Sequence, residues 1–333
     1  MTLNIGLNGF GRIGRCILRA GWGQPGIRFT HINDLTSPEM LAHLLTHDSV
    51  HGLWKSVKAE DGALIIDGER VTVSAERDPA KLPWGSTGTK VVLECTGVFT
   101  ARDKAAAHIE AGAERVVISA PGKGVDATIV MGVNQDTFNP DKHVIISNAS
   151  CTTNCLGPVA KALHDAVGIE HGAMTTVHSY TMDQNLLDAP HKDFRRARAA
   201  ALNMLPTSTG AAKAIGLVMP ALAGRLDGMA VRVPTPDGSL VDLTFRSGRD
   251  TSVDEINRVL EAAANGPMKG VLEATYAPLV SSDIIGNPHS SIADLSVTQV
   301  LDGRLVKVLS WYDNEWGFSN RMLDLARLAG GAA

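Results

Sequence analysis

Leu3-Asn-Ile-Gly-Leu7 runs into Gly9-Phe-Gly-Arg-Ile-Gly14, and residues 15–20 follow with the spacing of a helix. A short apolar strand, a G-x-G-x-x-G turn and a helix form the opening unit of a doubly wound parallel sheet. Gly9 allows the tight turn, Gly11 lets the backbone approach a pyrophosphate, and Gly14 lets helix and strand pack closely. The N–H groups without partners at the helix start would hold the anion. Taken alone, the glycine pattern also fits a turn that serves only the fold. A second apolar run, residues 27–32, ends at Asn33-Asp34. Asp34 stands about twenty residues beyond Gly14, where an acid binds ribose hydroxyls and repels a 2′-phosphate. The expected ligand is therefore a dinucleotide, NAD rather than NADP.

Outward from this unit, residues 35–90 carry polar strands and turns, with 63–66 and 71–74 as strand candidates. Two parallel-type strands, 91–94 and 116–119, bracket an alanine-rich helix at 101–112. Thr96 and Ser119 stand at their ends, where such a sheet places its ligand. Strand and helix alternate to about residue 150, so residues 1–150 are expected to form one parallel-sheet domain. Cys16 and Cys95 fall inside these elements and read as structural.

The second informative stretch is Ser147-Asn-Ala-Ser-Cys-Thr-Thr-Asn-Cys155, between an apolar strand at 144–146 and a helix at 156–167. Cys151 has small polar neighbours and sits where backbone N–H groups lack partners and the helix dipole is positive. That setting favours the nucleophilic thiolate. The alternative is a small core residue, the usual fate of a free cysteine. A strand at 172–178 ends in His178, which reads either as a satisfied polar residue or as the base a thiol nucleophile needs. Residues 181–206 form a long irregular segment with Arg195, Arg196 and Arg198. Arginine forks bind phosphate, though a solvated or interface-pairing run fits that spacing equally. Pro206-Thr-Ser-Thr-Gly210 opens a helix at 211–219, a second anion seat. Runs at 229–233, 240–246, 292–300 and 305–311 alternate as antiparallel strands, a helix spans 251–265, and Arg232 interrupts its strand. Residues 151–313 are thus expected to form an α+β domain with a mixed sheet.

Composition narrows the function classes. The chain has 333 residues, 44% hydrophobic and 20% charged, with formal net charge −4 and pI about 6.3. No basic excess points to nucleic acid, and no apolar run reaches the roughly 18 residues of a membrane span. The first residues enter a strand with no signal-peptide pattern. Four cysteines make no disulfide framework, and no cluster around Cys151 and Cys155 completes a metal site, so a reduced, cytoplasmic protein without a metal is expected.

At Ala149-Ser-Cys-Thr-Thr-Asn-Cys-Leu156 the chain resembles the phosphorylating glyceraldehyde-3-phosphate dehydrogenases. Asn8-Gly-Phe-Gly-Arg-Ile-Gly-Arg15, Glu76-Arg-Asp-Pro79, residues 206–213, Arg232-Val-Pro-Thr235 and Trp311-Tyr-Asp-Asn-Glu-Trp-Gly317 carry the likeness along essentially the full length. The resemblance implies an α/β fold: a Rossmann-type NAD-binding domain at 1–150, a catalytic domain at 151–313, and a terminal helix within 314–333 that packs back on the first. It implies Cys151 as nucleophile and His178 as base. Gly9, Gly11, Arg12, Ile13, Asp34, Arg77, Thr96, Ser119 and Asn314 would bind NAD, with Asn314 on the nicotinamide amide. Ser150, Thr152, Thr181, Thr209, Gly210, Arg232 and the arginine triplet would line two phosphate sites; within the triplet, Arg195 and Arg198 are favoured over Arg196. Leu187 and Pro190 match NAD-preferring members, and Phe318 stands where many members carry tyrosine. The implied reaction is oxidation of glyceraldehyde 3-phosphate by NAD through a Cys151 thioester, which inorganic phosphate cleaves to 1,3-bisphosphoglycerate. A homotetramer is implied, with the 181–206 segment reaching a neighbouring subunit. Erythrose-4-phosphate dehydrogenase is the alternative, although its counterpart of Pro206 to Gly210 usually lacks the Ser-Thr-Gly seen here.

Overall fold

The computed structural model describes residues 2–331. Met1, and the last two residues of the expected terminal segment 314–333, lie outside the described residues. The described residues form two compact units: residues 2–129, 136–150 and 319–331 make one, and residues 130–135 and 151–318 the other.

The first unit opens with β1 (Leu3–Asn8), α1 (Arg12–Gly21), β2 (Ile27–Asn33) and α2 (Pro38–Thr46). Then come β3 (Val57–Glu60), β4 (Ala63–Ile66), β5 (Glu69–Ser74), β6 (Val91–Glu94), β7 (Arg115–Ile118), β8 (Ala127–Thr128) and β9 (Ile145–Ser147). These strands form a nine-stranded sheet ordered β8-β9-β7-β6-β1-β2-β5-β4-β3. The central pairs β1–β2, β1–β6 and β6–β7 are parallel, and β3, β4 and β5 pair antiparallel at one edge. Leu3, Ile5, Leu7, Val91, Val92 and Leu93 are all buried, as a sheet covered on both faces requires. Each such side chain contributes about 1.5–3 kcal/mol by leaving water. The turn after β1 needs glycine twice. Gly9 has φ +90, and a Cβ on Gly14 would stand 2.3 Å from the Gly9 carbonyl oxygen. The expected helix at 101–112 is two short pieces, Arg102–Ala105 and Ala107–Glu110, broken at Ala106.

The second unit begins with α3 (Cys151–Val167) and β10 (Ile169–Ser179), then β11 (Leu205–Ser208), α4 (Ala211–Val218), β12 (Leu226–Val233) and β13 (Ser239–Ser247). It continues with α5 (Val253–Asn265), β14 (Leu272–Thr275), β15 (Ser291–Leu301) and β16 (Leu305–Tyr312). The sheet is seven-stranded, ordered β11-β12-β10-β13-β16-β15-β14. One expectation needs correction. β12 was expected to be antiparallel, yet it runs parallel to β10, in register from Gly172↔Leu226 to Ser179↔Val233. β11 and α4 carry the chain back to the starting end of β10 before β12 begins, and such a crossover makes the pair parallel. The last helix, α6 (Trp316–Ala329), has its later part in the first unit, where Arg327 Nη2 donates to Gln24 Oε1 at 2.6 Å. No helix among the described residues is long and apolar enough to cross a membrane.

Candidate active site

In the first unit a cavity of about 440 Å³ opens at the carboxyl ends of β1, β2 and β6, lined by Asn8, Gly9, Gly11, Asp34, Arg77 and Thr96 among others. A parallel sheet leaves its ligand crevice at this edge. Asp34 follows β2 and is half-buried. Its Oδ2 accepts the Phe10 N–H at 2.7 Å and its Oδ1 the Thr36 N–H at 3.1 Å. The carboxylate is therefore oriented, with acceptor capacity to spare for hydroxyl donors. A Cβ on Gly9 would stand 2.7 Å from the Thr96 nitrogen, so glycine keeps this corner open. The residues present fit a dinucleotide. Arg77 and Thr96 are exposed on the lining. Of the expected residues in this unit, Arg12, Ile13 and Ser119 are not on the lining. Arg12 opens α1, but its guanidinium pairs with Asp48 at 2.7 and 3.2 Å. Ile13 is half-buried one residue further along. Ser119 directs its side chain to the Cys95 thiol.

In the second unit Cys151 is the first residue of α3 and is half-buried. Its Sγ lies 3.5 Å from His178 Nε2. The Thr152 N–H and hydroxyl both favour a charged sulfur, as expected for a helix start. Burial nonetheless pushes the thiol up, against Arg232 and Thr152, which lower it. The resting thiolate suggested by the sequence is thus corrected: desolvation of the charged form outweighs the donors. His178 is next to last in β10 and is buried. Burial, reinforced by Arg232, pushes its imidazole down to about 3. Nδ1 lies 2.7 Å from the Ser179 carbonyl, which accepts, and 2.7 Å from Arg232 Nη1, which donates, while Nε2 faces the sulfur. A neutral imidazole aimed at a neutral thiol is a base in waiting.

Arg232 reaches this pair because the parallel register sets it beside His178. Its Nη1 donates to the Ser179 carbonyl at 2.9 Å and stands 2.7 Å from His178 Nδ1. Among the described residues its buried Nε has no hydrogen-bond partner, a donor held for an anion. The arginine triplet differs from the expectation. Arg195, exposed, donates to the Pro206 carbonyl at 3.2 Å, and Arg198, exposed, pairs with Asp188 at 2.8 Å. Arg196 instead turns inward. It pairs with Asp183, donates to Thr207 Oγ1 at 3.0 Å, and its charge is felt by both His178 and Arg232.

Thr181 follows β10, its N–H donating to Gln184 Oε1 at 3.3 Å. Thr209 Oγ1 accepts the Ala211 N–H at 3.2 Å, and Gly210 precedes α4 with open space where a Cβ would be. Ser150, the residue before Cys151, closes its segment of the first unit. Thr152 Oγ1 bonds the Tyr312 hydroxyl at 2.9 Å. Asn314 is buried, its Oδ1 accepting from Ser239 Oγ at 2.6 Å. Leu187 and Pro190 are exposed and Phe318 is buried. Sequence reasoning missed Tyr312 and Ser239. Tyr312 hydroxyl lies 2.9 Å from Thr176 Oγ1, and the ring meets His178 edge-on at 5.9 Å. Ser239 Oγ accepts the Ser179 N–H at 3.1 Å. Both lie on interior strands; Tyr312 stands inside the Trp311 to Gly317 likeness without a role assigned to it, and Ser239 has no local mark.

Residues 3–102 match the family described as glyceraldehyde 3-phosphate dehydrogenase, NAD binding domain, and residues 150–314 match its C-terminal domain. Among curated proteins the chain is similar to glyceraldehyde-3-phosphate dehydrogenase 2 of Streptomyces arenae, 56% identical over 99% of both chains. It is similar to glyceraldehyde-3-phosphate dehydrogenase 1 of Bacillus subtilis, 56% identical over 98% of both. It is also similar to the glyceraldehyde-3-phosphate dehydrogenase of Geobacillus stearothermophilus, 55% identical over 98% of both.

Proposed function

The chain belongs to the glyceraldehyde-3-phosphate dehydrogenase family, and on that premise we propose that Cys151 and His178 carry its chemistry. It is an NAD-dependent oxidoreductase with the family's glycolytic activity. The observation that carries the residue assignment is the 3.5 Å approach of Cys151 Sγ to His178 Nε2 at the start of α3.

In this reading His178 Nε2 takes the thiol proton as sulfur adds to the aldehyde carbon. The Cys151 N–H and the imidazole offset charge on the carbonyl oxygen. NAD, when bound, accepts the hydride that the adduct must lose. His178 hands the thiol proton to the carbonyl oxygen and takes it back from the adduct's hydroxyl as hydride leaves, so a thioester remains on Cys151. Inorganic phosphate then attacks that thioester, and the sulfur leaves as thiolate to be reprotonated. Arg232, Arg196, Thr181, Thr209 and Gly210 hold the substrate phosphate and the attacking phosphate. Arg232's buried Nε, without a partner among the described residues, supports an anion there. Gly9, Gly11, Asp34, Arg77, Thr96 and, on the nicotinamide side, Asn314 are assigned to NAD. Ser150, Arg12 and Ile13 keep their assignments only through backbone groups at helix starts.

The assay is NADH formation from glyceraldehyde 3-phosphate with phosphate present and then omitted. A rate that depends on phosphate is expected; independence from phosphate overturns the reading and favours the erythrose-4-phosphate alternative. Cys151→Ser is expected to abolish turnover while NAD affinity stays within a few-fold, and retained turnover would remove Cys151 from the nucleophile's place.

A homotetramer is proposed as well. Along residues 181–206, Met182 and Phe194 are 89% and 88% exposed, and Leu186, Leu187, Leu202 and Met204 are exposed with them. So much apolar surface on one segment suits contact with a second copy. Sedimentation should give four times the chain mass; a monomer would refute it. Four free cysteines suit a reducing, cytoplasmic setting.

A further inference from the structure

Beneath the dinucleotide cavity lies a wholly buried carboxylate that the chemistry above does not use. Glu94 ends β6 at 0% exposure. Its Oε2 accepts from Asn8 Nδ2 at 2.5 Å and faces His108 Nε2 at 3.0 Å. Its Oε1 accepts the Thr96 N–H at 2.8 Å and the Thr96 hydroxyl. His108 Nδ1 accepts from Trp84 Nε1 at 3.0 Å, so the imidazole proton sits on Nε2 and points at Glu94. Four donors thus converge on two acceptor oxygens.

The direction of these bonds propagates across the cavity floor. With its amide protons turned to Glu94, Asn8 offers Oδ1 to Asn33 Nδ2 at 2.8 Å. Asn33 Oδ1 in turn accepts the Ser74 hydroxyl at 2.8 Å and the Glu76 N–H at 2.9 Å. Asn8, Asn33, Ser74 and Glu94 end β1, β2, β5 and β6, four neighbours in the sheet. Asn8, Asn33, Glu76 and Thr96 line the cavity. We propose that Glu94 is a positioning residue for NAD, acting through Asn8 and Thr96 to set the shape and hydrogen-bond polarity of the floor. Glutamine at this position would put an amide N–H pair among four donors and force part of the chain to reverse.

The proposal rests on the reading that this cavity holds NAD. The test is NAD affinity by titration calorimetry for Glu94→Gln, Glu94→Asp and, as control, Asp34→Ala. Glu94→Gln is expected to raise the NAD dissociation constant about 10- to 100-fold, the usual worth of losing bonds to a charged acceptor. Its kcat at saturating NAD should stay within about 3-fold. Glu94→Asp, which keeps both acceptors one methylene further back, should recover part of the affinity. If Glu94→Gln gives no cooperative melt, Glu94→Asp becomes the primary variant and is expected to weaken NAD about 5- to 10-fold. A merely structural Glu94 would lower the melting temperature and leave the affinity of the folded protein unchanged, which overturns the proposal. Weakened binding in Asp34→Ala with none in the Glu94 variants overturns it alone. Parental affinity in all three removes the cavity assignment and the proposal with it.

Discussion

Arg195, Arg196 and Arg198 are one residue type in one short run, yet their surroundings make them unequal. Arg198 forms an exposed pair with Asp188, an interaction worth about 0–1 kcal/mol. Arg196 is mostly covered and is felt electrostatically at His178 and Arg232. Arg196→Ala is therefore expected to raise the KM for phosphate or for the phosphorylated aldehyde about 10- to 100-fold, the usual worth of a charge-assisted bond. Arg198→Ala should stay within about 3-fold. Steady-state kinetics on the two variants checks this, and the reverse order would restore Arg198 to the phosphate site. His178 is a second case at this scale. A base that is neutral at rest can act without first losing a proton, and His178→Asn should lower kcat about 10²- to 10⁴-fold. Single-turnover NADH formation is the readout, since it isolates the chemical step from product release.

At the scale of elements, the pairing of β10 with β12 does the most for the site. Its parallel register puts Arg232 beside His178, and a slip of one residue would send Arg232 to the other face. Gly228, opposite Met174 in that register, keeps the strands close: a Cβ there would stand 2.3 Å from the Met174 carbonyl oxygen. Gly228→Ala is expected to destabilise the protein by about 1–3 kcal/mol, typical of overpacking. It should also lower kcat by loosening Arg232 against His178. Urea unfolding and turnover on one preparation test both; an unaltered unfolding midpoint would show that the strands yield without strain.

At the scale of the whole molecule, buried neutral histidines make stability depend on pH. Burial pushes His31 down to about 4, between Thr72 and Ser74 hydroxyls each 2.7 Å away. Between about pH 6.5 and 4 the unfolded chain binds a proton there that the folded chain refuses, so stability falls as pH falls through that window. Asp237 acts with the opposite sign: burial, with Asp313 and Glu315 beside it, pushes it up to about 9. The informative measurement is therefore a comparison of variants. His31→Gln should lose about 2 kcal/mol less than the parent between pH 7 and pH 4.5. Equal losses in urea titrations at the two pH values would mean that His31 titrates normally.

Motifs whose meaning is local were legible in the chain alone. The strand, glycine turn and helix from Leu3 onward specify a parallel sheet, because those glycines answer steric demands a few residues away. The same holds for Asp34 at the end of β2 and Cys151 at the start of α3, where backbone geometry follows from neighbours in sequence. Tertiary structure alone decided which arginine of three turns inward, that β12 runs parallel to β10, and that Glu94 gathers Asn8, Thr96 and His108 beneath the cavity. It also decided the charge balance at Cys151, where burial outweighs the helix start. These depend on which distant strands become neighbours and on how much water they exclude, and neither quantity is written in the spacing of residues along a strand.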